Sequence, residues 1–180
     1  MRIITGLLKG RNLPTPKVAD VRPTTDRVKE GIFSVIESRR FIRNCSVLEL
    51  FAGSGNLGFE ALSRGAKSVL FVDHDLHCIE HIEKMAKKFD LVSQVRTARL
   101  DVMHFLQGPA VPYDIILADP PYTYENVEQM MELVTGSDWL KEGGWFILEH
   151  NKYHDFTQHD LFLLEKEYGR TLVSFFKGAR

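Results

Sequence analysis

The chain has 180 residues, with 23 basic and 24 acidic side chains giving a formal net charge of −1. Hydrophobic residues at 44% and charged residues at 26% describe an ordinary globular protein with enough length for a full core, and no apolar run reaches the roughly 20 residues a membrane helix needs. The start at Met1-Arg2-Ile3-Ile4 lacks a secretory signal, and Cys45 and Cys78 give no disulfide framework, so a reduced cytoplasmic monomer without membrane contact is expected.

The charge is unevenly spread. Residues 1–43 hold ten basic side chains (Arg2, Lys9, Arg11, Lys17, Arg22, Arg27, Lys29, Arg39, Arg40, Arg43) against four acidic ones (Asp20, Asp26, Glu30, Glu37). That segment is +6 and the remainder −7. A basic arm on an acidic body suits an anionic partner such as nucleic acid. The expected organisation is one domain over 1–180, with 1–43 as a basic extension and 44–180 as its core.

Residues 2–14 alternate weakly and contain Gly6 and Gly10, which predicts a small hairpin. Leu13 to Pro23, with three prolines, reads as irregular. Thr25 or Asp26 can cap a helix whose Val28, Ile32, Val35 and Ile36 share one face. From residue 46 the rhythm is strand, turn, helix. The strands are expected at Ser46–Leu50, Ser68–Val72, Val95–Arg99, Tyr113–Ala118 and Trp145–Glu149, with the clearest helices at Asp75–Phe89 and Glu125–Val134. Short apolar strands alternating with helices predict a buried parallel sheet. Leu161–Glu167 and Arg170–Phe176, joined by Tyr168-Gly169, predict an antiparallel hairpin closing it. The fold class is α/β, a Rossmann-like, mostly parallel seven-stranded sheet with helices on both faces.

Asp119-Pro120-Pro121-Tyr122 follows the fourth strand directly. Two prolines donate no backbone hydrogen bonds and push the preceding residue out of the helical region, so the strand must end there. It would present a carboxylate, the Pro120 carbonyl and an aromatic ring at the carboxyl edge, where open α/β sheets bind ligands. Two acceptors beside a stacking ring suit a planar ligand bearing an exocyclic amine. Upstream, Gly53, Gly55 and Gly58 spell G-x-G-x-x-G between the first strand and a helix. Asp73 ends the second strand, where a carboxylate can accept both ribose hydroxyls, and Asp101 follows the third, where it could meet an adenine amino group.

These residues resemble a family. Glu49-x-x-x-Gly53-x-Gly55 with Asp73 and Asp101 is similar to class I S-adenosylmethionine-dependent methyltransferases. Asp119-Pro120-Pro121-Tyr122 is similar to the motif of those that methylate exocyclic amino groups of bases. The run from Val47 to Ala66, the segment Arg22-Pro23-Thr24-Thr25-Asp26-Arg27-Val28-Lys29-Glu30 and the opening Arg2-Ile3-Ile4-Thr5-Gly6 with Lys9-Gly10-Arg11 resemble bacterial 16S ribosomal RNA guanine-N2 methyltransferases. The resemblance implies S-adenosylmethionine as co-substrate and no metal. It implies cofactor contacts at Glu49, Phe51, Gly53, Gly55, Asp73, Asp101 and Val102. Asp119, Pro120 and Tyr122 would hold the target base, with Asp119 or water taking the proton. Arg2, Lys9, Arg11, Arg22 and Arg27 would contact 16S ribosomal RNA, naked or within a 30S subunit. Arg22, Thr24 and Thr25 could wall the site or meet phosphates, Thr25 could simply cap the helix, and Asn56 stands where a small residue is common.

His77 and His81 sit at i, i+4, a zinc spacing, yet no third ligand accompanies them. His150, His154 and His159 are expected in a polar loop. Three rival functions share parts of the pattern. A nicotinamide-dependent oxidoreductase would leave Asp119-Pro120-Pro121-Tyr122 unexplained. An adenine-N6 or cytosine-N4 amino-methyltransferase shares both motifs but on DNA needs a recognition segment. A non-catalytic RNA-binding module has no use for an intact donor pocket.

Overall fold

The computed structural model describes residues 1–16, 25–39 and 42–179. Five helices and seven strands are described: α1 (Asp26–Arg39), β1 (Ser46–Leu50), α2 (Asn56–Ser63), β2 (Ser68–Asp73), α3 (Leu76–Lys88), β3 (Val95–Arg99), α4 (Val102–Leu106), β4 (Tyr113–Ala118), α5 (Val127–Thr135), β5 (Leu140–His150), β6 (Phe162–Tyr168) and β7 (Thr171–Lys177). They form one sheet in the order β3-β2-β1-β4-β5-β7-β6. The first five strands are parallel and β7 joins β5 and β6 antiparallel. The protein therefore has the expected Rossmann-like, mostly parallel seven-stranded sheet closed by an antiparallel hairpin.

Side-chain alternation divides the core in two. Val47, Val69, Phe71, Ile115, Leu117, Ile147 and Phe175 face α1, α2 and α3. Leu48, Leu50, Val72, Ile116, Phe146 and Leu148 face α4 and α5. Strands buried on both faces explain the near-continuous apolar runs. The order of strands reverses between β1 and β4, so the crevice at the carboxyl ends of these two strands is the switch point at which such sheets take ligands.

Four expectations change in detail. The residue 2–14 segment makes a single antiparallel bridge, Arg2 with Asn12, rather than two strands. Its amides are used elsewhere: Ile4 and Thr5 N–H donate to Glu60, and Leu7 and Leu8 N–H to Ser63. β5 begins at Leu140 rather than Trp145. A register shift opposite Tyr113 and Ile115, with Gly143 at φ 64°, breaks the apolar pattern there. The terminal hairpin turns at Gly169-Arg170, one residue later than expected, because Gly169 supplies the positive φ of 65° that a tight two-residue turn uses. Finally, His150 is no loop residue. It ends β5, is buried, and its Nε2 lies 2.8 Å from Ser174 Oγ on β7. Burial holds this imidazole below its ordinary pKa.

Candidate active site

Four loops meet at the carboxyl edge of β1, β2, β3 and β4. After β1 the chain turns sharply, with Phe51, Gly53 and Gly55 at φ 54°, 54° and 75°. Phe51 holds a left-handed conformation unusual for a large side chain, a strain that concentrates at functional sites. Glycine is required at 55 for space as well as for φ: a Cβ there would stand 2.9 Å from the Phe59 ring. At Gly58 it would stand 2.3 Å from Phe71 and 2.6 Å from Glu49 Oε2. The second and third glycines of the motif thus allow α2 to pack closely on the sheet, while Gly53 is partly exposed at the edge.

Glu49 is 4% exposed, and its Oε2 accepts Gly58 N–H at 2.8 Å while Oε1 accepts Leu57 N–H at 3.3 Å. It therefore sits at the amino end of α2, where the helix dipole favours an anion. Burial nevertheless pushes its pKa up to about 8, against those two N–H donors and helped by the charges of Asp119 and Asp73. Asp73 Oδ2 accepts Gly53 N–H at 2.8 Å and Oδ1 accepts Asp75 N–H at 2.9 Å. That carboxylate ties the end of β2 to the glycine turn. Asp101 caps α4 by accepting His104 N–H at 3.1 Å, and Val102 behind it is buried. Cap and ligand contact are compatible, because a carboxylate has about four acceptor positions.

After β4, Asp119 is partly exposed and Pro120 buried. Tyr122 is 48% exposed, and its hydroxyl lies 2.9 Å from Thr171 Oγ1 at the start of β7. Its ring is thus displayed yet tethered. The chain then turns through the Tyr124 N–H to Pro121 carbonyl bond at 2.8 Å. Tyr124 meets Phe51 edge to face, centroids 4.8 Å apart, bringing the loops after β1 and β4 together. The arrangement is a cleft walled by glycine backbone, carboxylates and aromatic rings. It can hold a nucleoside on one side and a planar amine on the other.

The structure brings Glu49, Phe51, Gly53, Gly55, Asp73, Asp101, Val102, Asp119, Pro120 and Tyr122 to this one edge. The basic residues divide. Arg2 lies beside the start of α1, 3.6 Å from Asp26. Arg27, exposed on α1, acts electrostatically on Tyr168, whose β6 strand pairs with Thr171, so it flanks the Tyr122 side. Lys9 and Arg11 belong to the turn docked on Ser63 at the far end of α2, about 12 Å along that helix. Arg22 and Thr24 lie outside the described residues. Thr25 Oγ1 accepts Val28 N–H at 3.3 Å, so it caps α1. No group of metal-binding side chains occurs among the described residues; His77 instead faces Glu80 at 3.8 Å.

Sequence reasoning missed the residues that hold this edge together. Lys29 is fully buried, its Nζ donating to Arg2 carbonyl at 2.6 Å and Asn56 Oδ1 at 2.8 Å, with Glu60 Oε2 at 3.5 Å. Asn56, whose part the sequence left open, receives this lysine at the start of α2. The signal was present: Lys29 lies within the apolar stripe of α1, where a solvated cation is out of place.

The model of the family described as conserved hypothetical protein 95 matches residues 1–177. The ribosomal RNA small subunit methyltransferase D of Haemophilus influenzae is 34% identical over 178 residues, covering 97% of this chain and 91% of that protein. The solved structure of the Escherichia coli protein yhhF superposes with a TM-score of 0.88 at 29% identity, covering 99% and 98% of the two chains. A T. thermophilus 16S rRNA N2 methyltransferase, solved with AdoMet and guanosine, shares the fold at a TM-score of 0.69 and 23% identity, over 86% of this chain and 44% of that one. With a family match over nearly its whole length and the glycine turn and acidic strand ends in place, the chain belongs to the ribosomal RNA small subunit methyltransferase D family.

Proposed function

We propose that this protein transfers a methyl group from S-adenosylmethionine to the exocyclic N2 amine of a guanine in the 16S ribosomal RNA of the small subunit. The observation that carries this reading is the shared edge: Asp119, Pro120 and the tethered Tyr122 ring stand across the glycine turn from Asp73 and Asp101. The family's name supplies the ribosomal substrate. The T. thermophilus protein, which binds AdoMet and guanosine, supports the donor and the base.

The glycine turn fits the donor, since Gly53 is partly exposed at this edge, carries no side chain and holds a left-handed conformation beside Asp73. Gly53, Gly55 and Phe51 would line it, Asp73 would take its ribose hydroxyls, and Asp101 with the Val102 backbone its adenine. Glu49 would orient the turn and receive the methionine ammonium, directly or through water. When bound, S-adenosylmethionine supplies a methyl group already activated on a sulfonium, so the protein's work is alignment. Asp119 and the Pro120 carbonyl accept the two amino hydrogens of the guanine, drawing nitrogen towards tetrahedral geometry. These contacts strengthen as positive charge develops on nitrogen, which is the differential binding catalysis needs. Tyr122 stacks on the base, which must be unpaired or flipped to reach it. Asp119 or water takes the proton.

The test is tritiated methyl transfer to 30S subunits and to naked 16S RNA, with the modified nucleoside identified by mass. N2-methylguanosine is expected, and Asp119→Ala is expected to lower transfer at least about 10³-fold with donor affinity nearly intact. Methyl on adenine or cytosine, or none on RNA, overturns the guanine reading. Loss of donor affinity in Asp119→Ala overturns the assignment of Asp119 to the base.

A further inference from the structure

Glu149 is the last residue but one of β5, and only 5% of it is exposed. β4 and β5 run parallel with Leu117 opposite Ile147 and Ala118 opposite Leu148. Glu149 follows on β5, and Asp119 is the first residue after β4. Leu117 and Ile147 both belong to the core beneath α1, α2 and α3, and alternation puts Asp119 and Glu149 on that same face. The electrostatic influence of Asp119 on Glu49, which points there too, agrees. Neighbouring strands are about 5 Å apart, so the chain leaves the carboxyl edge with Asp119 and Glu149 as neighbouring acids.

The Tyr122 loop reaches over this position. Its hydroxyl meets Thr171 of β7, while β5 lies between β4 and β7 in the sheet. The β7 neighbour of Glu149 is Val173, two residues along from Thr171 and on the same face. Glu149 therefore sits inside the frame of Asp119, Tyr122 and Thr171.

Of the amino-bearing bases, only guanine carries a ring N–H next to its exocyclic amine. Adenine N1 and cytosine N3 present a lone pair instead. A second carboxylate beside Asp119 is thus matched to guanine, and it sets an unpaired acceptor against the other two, which is costly in a buried site. We propose that Glu149 is a specificity-determining residue that accepts the N1–H of the target guanine while Asp119 and the Pro120 carbonyl hold its amine. Glu149 is engaged within the chain as well; a carboxylate offers about four acceptor positions, so the base adds to that contact. This inference rests on the amino-methyl transfer proposed above.

The experiment replaces the target guanosine, once identified, by 2-aminopurine riboside, which keeps the amine but has no N1–H. The ratio of kcat/KM for guanine over 2-aminopurine is measured for wild type, Glu149→Gln and Glu149→Ala, with donor affinity followed by calorimetry. Glu149→Ala is expected to lose about 10- to 100-fold on guanine, the effect of one charged hydrogen bond, and Glu149→Gln, whose amide carbonyl still accepts N1–H, to lose less. Glu149→Ala should keep or gain activity on 2-aminopurine, whose N1 lone pair no longer meets a carboxylate, so the ratio collapses while the donor Kd stays within about twofold. Intrinsic reactivity of the two amines cancels between proteins. A Glu149→Ala variant that keeps the wild-type ratio overturns the role of Glu149, even where its overall rate falls. If Glu149→Ala folds poorly, Glu149→Leu, which fills the space without an acceptor, gives the same comparison. Wild type that places no methyl on guanine N2 removes the reading beneath the inference, an outcome visible before any variant is made.

Discussion

Glu49 combines two opposed pressures. Two backbone N–H groups favour its ionised form, but complete burial and the nearby charges of Asp119 and Asp73 favour the neutral one, and burial prevails with a pKa of about 8. The folded state thus binds this proton more tightly than the unfolded chain, where the ordinary value is 4.5. The stability this gives is full below the unfolded pKa and is lost as pH rises through the folded one. Glu49→Gln imitates the protonated form at every pH. The melting temperature of wild type should match that of the variant near about pH 4 and fall behind by roughly 5 °C at about pH 9. Curves that run parallel across that range would mean the carboxylate is ionised throughout. The same logic has a functional side, since a cationic ammonium arriving at Glu49 would favour ionisation and release the proton.

At the scale of elements, the arm, α1 and α2 are held by one buried polar cluster. Glu60 Oε2 accepts Ile4 N–H at 2.8 Å, Oε1 accepts Thr5 N–H at 3.0 Å and Arg64 Nε–H at 2.9 Å, and Lys29 stands 3.5 Å away. Burial lowers the Lys29 pKa, opposed by the charges of Glu60 and Asp26. Removing one partner of such a cluster leaves the others buried and uncompensated, whereas removing both charges is milder. Lys29→Ala should cost about 3 kcal/mol in urea unfolding, and Lys29→Met with Glu60→Gln should cost less than the sum of the single changes by at least about 1 kcal/mol. Strict additivity would deny the coupling. This cluster also marks the boundary of what the sequence makes legible. The central strands were readable because burial on both faces leaves an unbroken apolar run, and Asp73 and Asp119 because each acid closes or follows such a run at once; Asp101 lies beyond the mixed edge strand β3 and was placed by the strand rhythm. Lys29 and Glu60 were hidden, since a charged residue on a helix looks solvated until its partner, 31 positions away, is known to face it. Glu149 carried the same strand-end signal as Asp73 and went unread, because its meaning depends on which strands are neighbours.

For the whole molecule, the separation of charge acquires a direction. The first 43 residues carry +6 against −7 elsewhere, and the described part of that basic segment runs from Arg27, flanking Tyr168 and the Tyr122 side of the cleft, to Lys9 and Arg11 at the far end of α2. If RNA lies along this surface with its target base in the cleft, both ends contact phosphates, but only Arg27 is close enough to affect base delivery. Replacing Lys9, Arg11 and Arg27 together by alanine should weaken RNA binding and flatten the plot of log K against log salt by about two units, at roughly 0.7 per phosphate contact for single strands. Donor affinity should not change. Singly, Lys9→Ala should raise the RNA Kd with kcat intact, whereas Arg27→Ala should also reduce kcat. Equal effects of the two on kcat would contradict a track with the reacting base at the Arg27 end, and an unchanged salt slope in the triple variant would mean that the RNA is gripped by another face.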